Sequence, residues 1–131
     1  MPFVSHAQNF EDVMLHRALR DIQNGFYIDI GANDPELHSV TFAFYERGWR
    51  GVNVEPVEAD RARLAAKRPR DTTLGVAVGE KAGFLPFYVF PGTGLSTLSR
   101  AQAEEHVAAG LSMEECVVEV TTIADISMFI F

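Results

Sequence analysis

Two short stretches of the sequence end in residues that could hold a nucleoside. The run DIGAND covers residues 29–34 and follows aromatic and β-branched residues, and Glu55 lies 24 positions after Gly31. A glycine in such a turn lets a ligand approach the main chain closely. An acidic residue roughly 20 positions further on is placed to accept hydrogen bonds from ribose hydroxyls. Because parallel strands collect ligands at their carboxyl ends, Asp29, Gly31 and Glu55 indicate a nucleoside site.

The glycine pattern of this turn distinguishes two kinds of nucleoside ligand. A dinucleotide site needs G-x-G-x-x-G, so that a pyrophosphate can lie on a helix N-terminus. Here a single glycine is followed by Asn33 and Asp34, and a carboxylate at that position disfavours a pyrophosphate. It suits a ligand with an amine or a sulfonium cation beside a ribose, such as S-adenosylmethionine. The alternative is that Asp29 and Glu55 only cap turns of a sheet that binds no nucleotide.

His38 is a candidate for proton transfer, since it follows the glycine turn closely in sequence. With an unperturbed pKa of about 6.5, a histidine could accept a proton from an acceptor hydroxyl. The alternative is a surface or capping histidine. The residues around it, Asn33, Asp34 and Glu36, form too mixed a set to predict a metal site, and we predict none.

Strand and helix patterns alternate through the first half of the sequence. The predicted strands cover residues 26–30, 51–55 and 73–78, and the predicted helices cover residues 10–19, 34–47 and 58–68. Asp34 and Pro35 are typical of a helix start, and Gly48 is typical of a helix end. This order predicts a parallel sheet with right-handed crossovers, which would bring residues 29–34 and Glu55 to one edge.

The second half of the sequence has a different character. Residues 84–90 and 116–123 have strand patterns, and Pro86 predicts that the first of these is an edge strand or contains a bulge. Between them, Ser99 and Gln102 have the capping-box spacing of a short helix, and Gly110 fits its end.

The composition excludes several functional classes. The 131 residues carry 11 basic and 18 acidic side chains, a formal net charge of −7, so nucleic acid and anionic membranes would be repelled. Cys116 is the single cysteine and allows no internal disulfide and no cysteine zinc site. The sequence has no apolar run near the roughly 20 residues of a membrane span and no signal-peptide pattern. We therefore expect one soluble, cytoplasmic domain.

Several segments together resemble one protein family. The segment YIDIGANDPELHSVTFAFYERGWRGVNVEP, residues 27–56, closely resembles the FkbM family of S-adenosylmethionine-dependent methyltransferases. AQNFEDVML, GLSTLS and VEVTTIADI, which begin at residues 7, 94 and 118, are also similar to family segments. The resemblance implies an α/β, Rossmann-like class I methyltransferase fold, with a mostly parallel sheet and helices on both of its faces.

The resemblance also implies roles for particular residues. The methionine end of S-adenosylmethionine would contact four residues of the first turn: Asp29, Gly31, Ala32 and Asn33. Glu55 would hold the ribose hydroxyls and Pro56 would flank the ribose and adenine. Val78 and Gly79 would border the adenine, and Gln8, Glu11 and Asp12 would close over the site.

One departure from the family pattern concerns the end of the chain. Family members continue with a strand that ends in an Asp-Val-Glu-Gly-like motif, and this sequence shows none before residue 131. We therefore expect a single domain that is C-terminally incomplete. Residues 1–24 would form an N-terminal helical segment, 25–79 a βαβαβ cofactor-binding half, and 80–131 further strands and a short helix. A homo-oligomer is one expected way to cover the sheet edge left exposed.

The function expected from these observations is methyl transfer from S-adenosylmethionine to a hydroxyl oxygen of a small molecule or a glycan. Two alternatives stay open. One is a catalytically incomplete fragment that binds cofactor or nothing. The other is a nicotinamide-dependent oxidoreductase, which the single glycine of the turn disfavours.

Overall fold

The computed structural model describes residues 2–130 of the chain. The chain divides into two compact units, the first ending at Leu74 and the second beginning at Gly75. Each unit contains its own three-stranded sheet. None of the helices in the described part of the chain has the length and apolar character that a membrane span requires.

The first unit is built around a parallel sheet with the strand order β1-β2-β3. Its elements in chain order are α1 (Glu11–Ala18), β1 (Phe26–Ile30), α2 (Phe42–Glu46), β2 (Arg50–Val54), α3 (Glu58–Lys67) and β3 (Thr72–Leu74). The predicted order of strands and helices is confirmed for this half, and so is the parallel pairing. The register pairs Asp29 of β1 with Asn53 of β2, so the two strands end side by side.

The central strand β2 is the most deeply buried part of this unit. Val52, Val54 and the α3 residue Leu64 are at most 2% exposed, as expected for a parallel strand covered on both faces. Position 51 in this strand requires glycine for a steric reason, since a Cβ there would overlap the Tyr27 carbonyl oxygen of β1. The close approach of β1 and β2 therefore depends on a glycine at this position.

The helix predicted for residues 34–47 is wrong in its first half. The Asp34 carboxylate accepts hydrogen bonds from the Glu36 and Leu37 backbone amides, at 2.9 and 2.7 Å, which closes a turn instead of starting a helix. His38 then adopts a left-handed φ of 59°, which no helix interior allows. The helix begins only at Phe42, whose amide donates to Ser39 Oγ at 3.1 Å.

The strand predicted for residues 73–78 is divided between the two units. Its first part is β3, and Leu74 at the end of β3 accepts a backbone hydrogen bond from Glu55 at 2.9 Å. Its last part is β4 (Ala77–Val78), which pairs with a strand of the second unit.

The second unit contains a mixed sheet with the order β4-β6-β5. Its further elements are β5 (Gly83–Val89), α4 (Arg100–Ala108), β6 (Glu114–Thr121) and α5 (Ile123–Ile130). Strands β5 and β6 are antiparallel, and β4 and β6 are parallel. Two details predicted from the sequence are confirmed: Pro86 lies in an edge strand, and Ser99 Oγ caps α4 by accepting from the Gln102 amide at 3.2 Å. The fold is thus α/β, with one parallel and one mixed sheet.

Candidate functional site

The turns that follow β1 and β2 lie against each other, as the sequence predicts. The Gly31 and Ala32 amides donate to the Val54 carbonyl oxygen at 2.8 and 3.3 Å. The Asn33 amide donates to Glu55 Oε1 at 2.8 Å. Gly31 and Asn33 have left-handed φ angles of 69° and 56°, which let the chain reverse within three residues. These bonds bring the glycine turn and the Glu55 carboxylate into one site.

The Glu55 carboxylate is buried and held by backbone amides on both oxygens. Oε1 accepts from Asn33, and Oε2 accepts from the Val57 amide at 2.9 Å. Burial raises the pKa of Glu55 above its ordinary value, and the two amide hydrogen bonds partly oppose that rise. A carboxylate oxygen has two lone pairs, so each oxygen keeps one acceptor position beyond the bond it makes here. Pro56, which follows directly, is half-buried.

Asp29, the second acidic residue of the site, lies inside β1. Its Oδ2 accepts a hydrogen bond from the Thr41 hydroxyl at 2.6 Å. Burial raises the pKa of Asp29, and the Thr41 bond and the positive charge of Arg68 partly oppose the rise. The site therefore contains two carboxyl groups whose ionised forms are disfavoured by burial and stabilised by specific hydrogen bonds.

The turn leaves space on the side where a ligand would lie. A Cβ added at Gly31 would have no heavy atom within 4 Å, and Gly31 is exposed whereas its neighbour Ala32 is buried. The site contains backbone amide donors and the carboxylates of Asp29 and Glu55. At its turn, Arg63 Nη1 lies 3.6 Å from Asp34 Oδ2. This combination fits a cationic nucleoside such as S-adenosylmethionine, because a carboxylate accepts from ribose hydroxyls and attracts a sulfonium or an amine.

A fully buried arginine holds the loop that follows the glycine turn, and no sequence pattern described above indicates it. Arg68 follows α3 directly, and its guanidinium donates to Thr41 Oγ1 at 2.7 Å and to Asn53 Oδ1 at 3.2 Å. It also donates to the Pro35 carbonyl oxygen and to Ser39 Oγ, both at 2.7 Å. Arg68 thus fixes the loop between β1 and α2 from several directions.

Asp71 is the acidic partner of this arginine. Asp71 Oδ2 lies 3.8 Å from Arg68 Nη1 and accepts hydrogen bonds from the Tyr27 hydroxyl and from Asn53 Nδ2. Burial, together with the hydrogen bond to Asp71, raises the pKa of Tyr27, so the phenol stays protonated as a donor. The sequence signal that could indicate this pair is an arginine and an aspartate three positions apart, on either side of Pro69.

Three further residues of the predicted site are His38, Val78 and Gly79. His38 is an exposed loop residue that forms an isolated parallel bridge with Ala7, and it does not lie one turn into a helix as the sequence suggested. Its role as a base stays a prediction. Val78 and Gly79 belong to the second unit, where the Gly79 amide donates to the Thr121 carbonyl oxygen at 2.9 Å. Their contact with an adenine also stays a prediction.

The N-terminal residues that were expected to close over the site differ in their exposure to solvent. Gln8 is exposed, whereas Asp12 is fully buried. The Asp12 carboxylate accepts from the Ser5 hydroxyl and the His6 and Ala7 amides, at 2.6, 2.7 and 3.2 Å. Asp12 therefore anchors the chain that precedes α1. Among residues 2–130, no group of three or more histidine, cysteine and acidic side chains could hold a metal ion.

Comparison with protein-family models gives a match to this chain. The model of the methyltransferase FkbM domain matches residues 29–129, a range that includes the glycine turn, Glu55, Arg68 and most of the second unit. Neither the curated proteins nor the solved structures that were compared with the chain gave a match. Because the matched range covers well over half of the 131 residues, the chain belongs to the family of FkbM methyltransferase domains.

Proposed function

We propose that the chain binds S-adenosylmethionine at the turns following β1 and β2 and transfers its methyl group to a hydroxyl oxygen of a small molecule or a glycan. The observation that carries this proposal is the hydrogen bond between the Asn33 amide and Glu55 Oε1, at 2.8 Å. It places an acidic side chain beside a glycine turn at the carboxyl end of two parallel strands, where open α/β sheets bind their ligands.

The two acidic side chains would bind opposite ends of the cofactor. Glu55 would accept from the ribose hydroxyls through the lone pairs that its backbone bonds leave open, and Pro56 would flank the ribose. Asp29 and the turn of Gly31, Ala32 and Asn33 would border the methionine end. The parallel pairing of β1 with β2 supports a Rossmann-like class I arrangement for this half of the chain.

The electrostatics of the turn favour a sulfonium nucleoside over a dinucleotide. Asp34 lies in the turn, and its Oδ1 already accepts from two backbone amides. These amides are therefore not free to bind a pyrophosphate, and no helix begins at this turn to present others. The Asp34 carboxylate, with Arg63 Nη1 3.6 Å from its Oδ2, adds no anion site of its own. The occupied amides support a sulfonium nucleoside over an oxidoreductase cofactor at this turn.

The chain's contribution to the reaction would be position and alignment. When bound, the cofactor supplies an electrophilic methyl group on a sulfonium. The protein holds the acceptor oxygen in line with it, and such alignment accounts for large rate enhancements. A hydroxyl acceptor must lose its proton during transfer, and exposed His38 is the residue of this unit that we propose as its base.

A titration with S-adenosylhomocysteine tests this proposal directly. The purified chain is titrated by calorimetry and by thermal shift, in parallel with NADH. A ligand at 100 times its Kd stabilises a fold by about 2.7 kcal/mol. We expect saturable binding of S-adenosylhomocysteine, none of NADH, and loss of binding in Glu55→Ala.

The matched control is Glu58→Ala, which removes an exposed carboxylate three positions away at the start of α3. It should bind like the unaltered chain. If the folded chain shows no binding, S-adenosylmethionine dependence is wrong for this chain and the fragment alternative is favoured. Binding of NADH instead would favour the oxidoreductase alternative. Methyl acceptors are then screened with tritiated cofactor on small alcohols and oligosaccharides.

A further inference from the structure

A cleft of about 610 Å³ lies at the opposite end of the parallel strands from the proposed cofactor site. Asn24 and Trp49 line it, and they precede β1 and β2, whereas Gly31 and Glu55 follow these strands. A five-residue strand is roughly 16 Å long. A molecule in this cleft would therefore be separated from the methyl transfer chemistry by the length of the sheet.

Two aromatic rings form a wall of the cleft. The Phe44 and Trp49 rings have centroids 5.0 Å apart and planes inclined by 57°, and both residues line the cleft. The indole lies directly over Gly25, where a Cβ would come within 2.6 Å of the ring. The absence of a side chain at Gly25 thus allows the indole to lie against the main chain.

Two arginines give this wall a positive rim. Arg20 and Arg47 both line the cleft, and neither makes an ion pair within residues 2–130. Glu46 also lines the cleft, and its half-exposed carboxylate lies 3.3 Å from His6 Nε2. Arg47 also lies over the Phe3 ring, 5.5 Å from its centroid. In a chain with a net charge of −7, these two arginines supply charged donors that a negative group from outside could use.

We propose that this cleft binds an organic anion, with a flat apolar body against Phe44 and Trp49 and a carboxylate or phosphate group on Arg20 and Arg47. Aromatic rings pack well against a planar apolar body, and the arginine fork matches both kinds of oxyanion. This assignment stands apart from the proposed cofactor site, because no cleft-lining residue named here belongs to that site.

The tryptophan provides a direct readout of the proposed binding. Trp49 is the chain's only tryptophan, so a two-dimensional nitrogen–proton NMR spectrum shows one indole signal. Phenyl phosphate, benzoate and the neutral benzyl alcohol are titrated separately while this signal is followed. We expect saturable shifts with phenyl phosphate, with benzoate or with both, and at least tenfold weaker effects with benzyl alcohol. The anion that shifts the signal at the lower concentration identifies the preferred charged group.

Substitutions test the role of the two arginines. Arg20→Gln and Arg47→Gln should each weaken binding of the anionic probe by about tenfold, as loss of a hydrogen bond to a charged group predicts. Arg17→Gln, on the exposed surface of α1 and outside the cleft lining, is the control and should bind normally. Gly25→Ala should displace the indole and abolish binding, and its folded state is checked by the dispersion of the remaining amide signals.

Three outcomes would overturn the proposal. The first is an indole signal that none of the probes shifts. The second is equal binding of benzyl alcohol and the anions, which would leave the arginines without a role. The third is anion binding that Arg20→Gln and Arg47→Gln leave unchanged. Binding of S-adenosylhomocysteine is measured on the same samples, so a failure here is distinguished from a failure of the proposed cofactor site.

Discussion

The guanidinium of Arg68 lies 3.8 Å from the carboxylate of Asp71, and both side chains are completely buried. The two charges are embedded in hydrogen bonds from β1, β2 and the loop before α2. Arg68 reaches that loop and Asp71 reaches the strands, so the pair joins the loop after the proposed cofactor turn to the sheet.

Removing the arginine should strongly destabilise the first unit. Arg68→Met leaves Asp71 buried without its cation, and breaking a buried pair in this way costs about 3–5 kcal/mol. Urea unfolding followed by Trp49 fluorescence measures this loss. Arg50→Met, which alters an exposed arginine at the start of β2, is the control and should change stability by less than about 0.5 kcal/mol. Equal effects of the two substitutions would contradict the assigned role.

The proposed cofactor binding should depend on pH through Glu55. Burial raises the pKa of Glu55 above its ordinary 4.5, so the folded chain holds this proton at a pH where the unfolded chain has lost it. The stability that this difference contributes is therefore greatest at low pH and is lost as the pH rises through the folded pKa. Affinity for S-adenosylhomocysteine should change in the opposite direction and rise with pH, because the ionised carboxylate is the better acceptor for ribose hydroxyls.

Calorimetric titrations between pH 4.5 and 8 check this dependence. In Glu55→Gln the rise should disappear, and binding should be weak at every pH. Since burial raises the pKa of Asp29 as well, Asp29→Asn is measured alongside and should keep the part of the rise that belongs to Glu55. A rise of unchanged size in Glu55→Gln would show that another group is responsible.

The contribution of Asp12 to stability should depend on pH in the opposite direction to that of Glu55. Burial opposes its ionisation, but hydrogen bonds from the Ser5 hydroxyl and the His6, Ala7 and Val13 amides outweigh this and lower its pKa below 3.8. Its contribution is therefore present above the unfolded pKa and is lost as the pH falls through the folded one. Asp12→Asn should cost about 1–3 kcal/mol at pH 7.

This cost should shrink as the pH falls toward 3, because the unfolded chain then binds a proton at Asp12 more readily than the folded chain does, which reduces the stability that the carboxylate contributes. Urea unfolding at pH 3, 5 and 7 measures the difference between the two proteins. Asp21→Asn, at an exposed position after α1, serves as the control. A cost that stays constant across this range would mean that the charge of Asp12 has no part in the stability.

The cap of α4 makes a separate contribution to the second unit. Ser99→Ala removes the hydroxyl that accepts from the Gln102 amide at 3.2 Å and should cost about 1 kcal/mol. Ser112→Ala changes an exposed serine between α4 and β6 and should be neutral. Hydrogen exchange at the amides of the first turn of α4 reports the change locally, with faster exchange expected in Ser99→Ala alone.

The sequence was sufficient to predict the turns of the candidate site, because their signals are local. The aromatic and β-branched run of β1, the single glycine at Gly31 and the position of Glu55 each depend on a few adjacent residues. The parallel pairing that the structure shows then brings the two turns together. The Ser99 cap and the edge position of Pro86 were predictable for the same reason, since one residue type at one position decides each.

The errors arose where distant groups decide the local conformation. Residues 34–41 have a helix start in Asp34 and Pro35, but the Asp34 carboxylate closes a turn and Arg68 holds the Pro35 carbonyl oxygen from 33 positions away. Arg68 itself has the sequence context of an ordinary helix end. Its burial depends on Thr41, Asn53 and Asp71, which no pattern within α3 reveals.

Pro86 has a consequence for the open edge of the second sheet. Pro86 lies in the middle of β5, at the edge of the second sheet, and its cross-strand partner is Val117 of β6. Val117 and Phe84, two residues before Pro86, are 69% and 72% exposed. An apolar edge strand is a template on which another strand can add. Because proline has no amide hydrogen, the backbone at Pro86 offers no donor to an added strand. We therefore expect Pro86 to hinder strand addition at this edge. Replacing Pro86 should lower the protein concentration at which aggregation begins.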